Sequence, residues 1–297
     1  MERVKLSLRD KGLFDAYLRR RGHELSSYAF ESIYLWKGLY DISWVVIEDA
    51  LCIFFQDALG CFLYLAPLGS TIPRSVIDSV FEIMDTVNRN RQVSRIENVE
   101  EPEVAYFQEL GYTLNPKPFE YLYKTKDLAA LSGNKFKSQR ACCNYFVRQY
   151  RHCLLDFSQE ESEGCLQLFD AWSSQRKEGL RDSVYQGMLD DSRACLSVLL
   201  EHYADMGLLG RVVKIDGAVK AFTFGFRLND DTFCILSEIT DLGIKGLAQF
   251  IFREFCRELS EYEYINIMDD SGLPNLKRVK HSYHPFREIP NYIVTRG

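Results

Sequence analysis

The chain has 297 residues, 46% of them hydrophobic and 26% charged, which is enough for two ordinary domains with cores of their own. Its 36 basic and 42 acidic side chains leave a net charge of -6, so an anionic partner has to be met by a local patch and not by a generally positive surface. Nine scattered cysteines, odd in number, with Cys142 and Cys143 adjacent and not easily bridged and with no C-x-x-C pair, read as reduced, mostly buried thiols of a cytoplasmic protein.

The opening MERVKLSLRDKG lacks an apolar signal core, and no run reaches the ~20 apolar residues of a membrane span. Asp10 to Arg20 patterns as a helix. Three short apolar runs follow, Ile42 to Glu48, Leu51 to Gln56 and Cys61 to Leu65, each bounded by Asp or Gly as in an antiparallel meander. Pro73 opens a helix to about Asn88 through Val76, Ile77, Val80, Phe81, Met84 and Val87. Val93 to Glu97 reads as a strand, Glu103 to Leu110 as a helix stopped by Gly111, and Tyr112 to Lys124 as an extended return.

Residues 133–151 hold five basic side chains and no acidic one. At about 100° per residue, Lys137, Arg140, Asn144, Arg148 and Arg151 share one stripe, opposite Phe136, Cys143, Phe146, Val147 and Tyr150. An amphipathic helix with a cationic face is expected. A plainly solvated face is the commonest fate of such a stripe.

Beyond it the same order returns. Cys153 to Phe157 is strand-like, Glu160 to Arg176 and Tyr185 to Asp205 are helical, and strands are expected over Leu209 to Ile215, Ala218 to Arg227 and Thr232 to Glu238, with hairpin turns at Asp216-Gly217 and Asn229-Asp230. A helix over Lys245 to Leu259, a strand over Tyr264 to Met268, a Pro-started helix over Pro274 to Tyr283 and an extended segment over Arg287 to Thr295 complete the chain. Helices, a three-strand meander, then helix, strand, helix and strand is the order of the GNAT acyltransferase fold, and it occurs twice. The fold class expected is mixed α/β, two tandem GNAT-like domains over residues 1–132 and 152–297, joined by a basic helix at 133–151 that forms one wall of the cleft between them.

The run "YLYKTKDLAALSGNKFKSQRACCNYFVRQY" resembles a bacterial family, mostly uncharacterised, related to the C-terminal region of phosphatidylglycerol lysyltransferases. Tyr123, Leu128, Leu131, Gly133, Lys135, Arg140, Asn144 and Phe146 carry the likeness. A second run, "INIMDDSGLPNLKRVKHSYHP", is similar to the family's closing motif through Asp269, Asp270, Gly272, Leu276, Lys277, Lys280, Tyr283 and Pro285. The family's Asn directly after the Arg is absent, the neighbourhood here being Ser138, Gln139, Ala141 and Cys142, which weakens the case for phosphate or tRNA contact. The resemblance, shared with Fem-type aminoacyl transferases, implies transfer of an aminoacyl group from aminoacyl-tRNA to a lipid head group or another amine or hydroxyl.

Such chemistry needs a base for the attacking group and a donor or cation for the oxyanion. Glu238, near the end of an apolar strand, and Asp269 with Asp270, at the end of the next, are the candidate bases; the acidic pair reads equally well as a cap for the Pro274 helix. Leu276, Val279 and Tyr283 are expected to form the core stripe of that helix, with Lys280 beside it as an oxyanion aid. Lys277 and Arg278 add a second cationic patch to Lys135, Lys137, Arg140, Asn144 and Arg148. The Gly243-x-x-Gly246-x-Ala248 loop fits part of a GNAT pyrophosphate loop, although Asp241 sets a negative charge beside it and flexible helix entry explains the glycines as well. Acyl-CoA used by the C-terminal half alone is therefore the alternative donor, and a non-catalytic binding protein of the same fold the alternative class. No metal is expected, because His281 and His284 lack further ligands at a recognisable spacing.

Overall fold

A computed structural model of the chain describes residues 2–178 and 182–296. The chain opens with β1 (Val4–Lys5), α1 (Lys11–Leu18) and α2 (Phe30–Tyr34), followed by the expected meander of β2 (Asp41–Ile47), β3 (Ala50–Gln56) and β4 (Cys61–Leu63). Next come α3 (Arg74–Val87), β5 (Arg95–Glu100), α4 (Val104–Glu109), β6 (Tyr112–Pro116), β7 (Glu120–Lys124), α5 (Thr125–Ala130) and the central helix α6 (Lys137–Gln149). The remainder is β8 (Cys153–Asp156), α7 (Ser162–Lys177), α8 (Ser183–Glu201), α9 (Tyr203–Met206), β9 (Leu209–Ile215), β10 (Ala218–Arg227), β11 (Thr232–Thr240), α10 (Leu247–Glu258), β12 (Tyr264–Asn266), α11 (Pro274–His281), β13 (Arg287–Ile289) and β14 (Asn291–Arg296).

These strands build two mixed seven-stranded sheets flanked by helices, ordered β1-β2-β3-β4-β5-β14-β6 and β13-β7-β12-β11-β10-β9-β8. The two extended returns read from the sequence are each split, the first after Pro116 with Pro118 in the break and the second at Pro290, because proline cannot donate to a ladder. As a result β7 enters the second sheet between β13 and β12, and β14 enters the first between β5 and β6. The β9–β10 hairpin turns at Asp216 and Gly217, both at positive φ, as the sequence predicts.

The compact units are residues 1–120 with 289–297, and 121–288. The boundaries expected at 132 and 152 are thus displaced: residues 121–132 and α6 lie inside the second unit, and the last strand belongs to the first. Helix α6 is no free connector, since Phe146 packs with Leu247, Phe250 and Ile251 of α10. Its dry face is made by Phe136, Gln139, Cys143 and Phe146. Val147, expected there, is 48% exposed, because it sits at the rim of that arc and Gln139 fills the arc by donating from Nε2 to Ser282 O at 2.8 Å.

Candidate functional site

Every residue singled out from the sequence falls in the second unit, where the sheet parts. Strands β11 and β12 run parallel and pair over three positions only, Thr232 with Tyr264, Phe233 with Ile265 and Cys234 with Asn266. Thereafter the β12 end stays with β7, through Ile267 N to Tyr121 O and Tyr121 N to Met268 O at 3.1 and 3.2 Å, while β11 runs on beside β10 to Thr240. A wedge opens between them. Leu236, Ser237 and Glu238, in the middle of an otherwise buried strand, are partly exposed.

A bulge aims Glu238. Phe224 pairs with Ser237 but Gly225 with Ile235, leaving Leu236 as the extra residue. One inserted residue reverses the in-and-out alternation, so Glu238 faces the same side as Phe233 and Ile235. Gly225 permits the bulge: a Cβ there would stand 2.3 Å from Cys234 O and 2.4 Å from the Phe233 ring. Under α10, Glu238 Oε2 is sealed and has no hydrogen-bond partner. Burial pushes the carboxyl up to about 8, against the opposing pull of the nearby Thr223 hydroxyl, which lies outside hydrogen-bonding geometry. Burial first, and the Glu238 charge next, also raise the phenol of Tyr283 and the thiol of Cys256.

The other wall is held by β7. Tyr121 Oη donates to Asp270 Oδ2 at 2.5 Å, and Asp270 Oδ1 accepts from Gly272 N at 2.9 Å. Burial, then this bond, raise the Tyr121 phenol well above its ordinary value. Asp269 Oδ1 instead accepts from Ser271 N at 2.9 Å. The two acids therefore point to different partners. Neither caps α11, whose N-cap is Leu273.

Lys280 is buried, its amine donating to Ile267 O and, at 3.1 Å, to Met268 O, and lying 5.5 Å from the Tyr121 ring centre. It ties the departing end of β12 to α11. Val279, expected in the core stripe, is 55% exposed: the short helix turns its Lys280 face inward because two carbonyls await a donor there. Lys277 and Arg278 are exposed on the outer side. Tyr121 and Tyr123, alternate residues of one strand, are the neighbours bonded to Asp270 and Lys280 that motif matching passed over in part; the i, i+2 spacing in "EYLYK" is the signal for their common face.

On α6, Lys137, Asn144 and Arg148 are exposed. Arg140 is engaged, Nη1 donating to Leu131 O and to Gly133 O at 2.6 Å, where Leu131 ends α5 at φ 48°. Lys135 pairs with Asp127 at 3.5 Å. Gly246, at φ 86°, is a packing residue: an added Cβ would be 2.2 Å from Cys142 O, so α6 covers the start of α10. Gly243 N is held by Asp241 Oδ1 at 2.9 Å, and Asp241 Oδ2 pairs with Lys220 at 2.9 Å. Among the described residues no group of three or more His, Cys, Asp or Glu is arranged to hold a metal ion, and no helix is long and apolar enough to cross a membrane.

No curated protein is significantly similar in sequence. Among solved structures, a conserved protein of unknown function from Bacteroides thetaiotaomicron VPI-5482 superposes with a TM-score of 0.89 at 23% identity, covering 100% of both chains. L-PGS from Bacillus licheniformis gives 0.64 at 20% identity over 97% of this chain and 92% of that one. FemX gives 0.62 at 10% over 99% and 97%. These likenesses establish the fold, a tandem pair of GNAT-like and Fem-type mixed sheets. The model of the phosphatidylglycerol lysyltransferase C-terminal family matches residues 18–295. With nearly its whole length matched, the chain belongs to the phosphatidylglycerol lysyltransferase C-terminal family.

Proposed function

We propose that the second unit is an acyltransferase centre that moves an aminoacyl group from aminoacyl-tRNA to the amine or hydroxyl of a lipid or other acceptor, with Glu238 as general base. Family membership supports the transferase class. The observation that carries the role of Glu238 is its position: a carboxyl at the split between parallel strands, turned by a bulge into an apolar layer and raised to about 8. A carboxylate so raised accepts a proton readily near neutral pH. The acceptor oxygen or nitrogen attacks the ester carbonyl, Glu238 takes its proton, and the tRNA oxygen leaves with a proton returned to it.

Lys280 serves this centre by fixing the wedge, its amine being committed to the carbonyls of Ile267 and Met268. Exposed Lys137 and Arg148 on α6, with Lys277 and Arg278 on α11, supply positive charge for the donor's phosphates. The test is transfer of label from a mixture of labelled aminoacyl-tRNAs to phosphatidylglycerol-containing vesicles or to soluble amines. Glu238→Gln is expected to lower the rate by about 100-fold or more. Absence of transfer from every charged tRNA, or full activity of the Gln variant, defeats the proposal.

A further inference from the structure

We infer that Thr223 is the positioning residue for Glu238, its hydroxyl held ready to donate to the carboxylate once Glu238 ionises. The importance of the pair for catalysis rests on Glu238 being the base; the pairing itself does not. Thr223 and Glu238 stand directly opposite each other on β10 and β11, on the face the bulge turns toward α10. Thr223 is fully buried, and its Oγ1, like Glu238 Oε2, is sealed without a hydrogen-bond partner. Buried polar atoms without partners are rare in folded proteins, and here two of them face one another across a single strand pair. Valine has the same shape and suits an apolar layer better, so a hydroxyl at this position calls for a recipient.

The chemistry supplies one. A neutral carboxyl carries its own proton and can act as a donor, whereas a carboxylate only accepts and needs a donor at hand. Other groups face Glu238 from the elements packed against it. Cys256 of α10 feels its charge, but a thiol is a weak donor. Tyr283 after α11 carries a phenol that feels Glu238 together with Cys143, Cys256 and Cys142, and it comes from outside the strand pair. Arg211, next beyond Thr223 in the same cross-strand row, is held by Asp156 at 3.1 Å and Glu258 at 2.6 Å. The Thr223 hydroxyl is the donor directly opposite on the paired strand, and a small shift of either side chain, not a turn of the hydroxyl alone, brings it into bonding range. A hydroxyl bond made to the ionised form alone lowers the pKa of the acid.

The test is a carbon NMR titration of the intact chain with labelled glutamate, the Glu238 signal being identified by its loss in Glu238→Gln. In Thr223→Val the Glu238 midpoint is expected to rise by about one to two pH units, and Thr223→Ser to keep it near that of the unchanged protein. A midpoint that does not move in Thr223→Val overturns the inference; should that variant not fold, Thr223→Ala supplies the same reading, and an unmoved midpoint there overturns it equally. The titration needs no substrate, so it stands apart from failure of the transfer reaction. Where transfer is seen, the rising limb of its pH profile is expected to move with the NMR midpoint, which a purely structural role leaves in place.

Discussion

The hydroxyl of Tyr121 donates to Asp270 Oδ2 at 2.5 Å, joining β7 to the loop before α11 inside the second unit. Asp270 is 5% exposed, so this carboxylate oxygen depends on its one strong donor. Tyr123, two residues on, makes the milder bond to Lys280 O at 2.9 Å. Urea unfolding is expected to show Tyr121→Phe costing about 2–3 kcal/mol and Tyr123→Phe about 1 kcal/mol, because bonds to charged groups count for more and leave a costlier orphan. Equal costs for the two variants contradict this ranking.

Glu238 makes stability depend on pH in a direction opposite to that of ordinary salt-bridged acids. Its folded value of about 8 lies above the 4.5 of an unburied glutamate, so the folded state holds the proton more tightly. The stabilisation is full below about 4.5 and is lost as pH rises through about 8, a change on the order of a few kcal/mol. Thermal unfolding between pH 5 and 9 is expected to show Glu238→Gln overtaking the unchanged protein on the alkaline side while matching it near pH 5. The transfer rate has the reverse trend, rising through about pH 8 as the base form appears. A variant whose melting curve parallels that of the unchanged protein across this range rules out the shifted carboxyl.

Periodicity alone reveals much of this fold. Both meanders, the amphipathic α3 and α10, and the β9–β10 turn come from patterns with a local cause, and the strand limits Leu209–Ile215 and Ala218–Arg227 are legible to the residue. What the sequence hides is set by distant partners. The exchange of β7 and β14 between sheets depends on which edges are open, and Pro118 and Pro290 mark only the breaks. The residue pattern proposes Glu238 as a base, but its orientation follows from a bulge that needs the β10 register to be seen. Lys280 reads as a residue beside a core stripe; its burial comes from two carbonyls released where β12 leaves β11, and no helical wheel contains them.

That same lysine separates a structural cation from the exposed ones proposed to meet the donor's phosphates. Lys280→Met removes the donor for Ile267 O and Met268 O and is expected to cost about 2–3 kcal/mol of stability together with much of the transfer rate. Lys277→Ala and Arg278→Ala, on the exposed side, are expected to change stability by less than about 0.5 kcal/mol. In filter-binding measurements with tRNA each of these two is expected to weaken affinity and to flatten the dependence on salt, since a lost phosphate contact releases fewer counterions. An unchanged salt slope in both assigns the phosphate contacts elsewhere.

Gly246 decides between two meanings of a glycine at a helix start. As an anion-binding turn it would need an open approach to the first backbone N–H groups of α10. The observed contact argues for packing: at φ 86°, with Cys142 O only 2.2 Å from where a Cβ would be, alanine has to bear a left-handed backbone and push α6 away from α10. Strain and lost packing together are expected to cost about 3 kcal/mol or more. Gly243 has no positive φ, and its added Cβ would meet only Asp241 Oδ1 at 3.3 Å, so Gly243→Ala is expected to cost under about 1 kcal/mol. If the glycines instead served acyl-CoA, both variants would keep their stability and lose the thermal shift given by acetyl-CoA. The packing account predicts that Gly246→Ala melts early whatever ligand is present, and that the unchanged protein shows no such shift because α6 already occupies the start of α10.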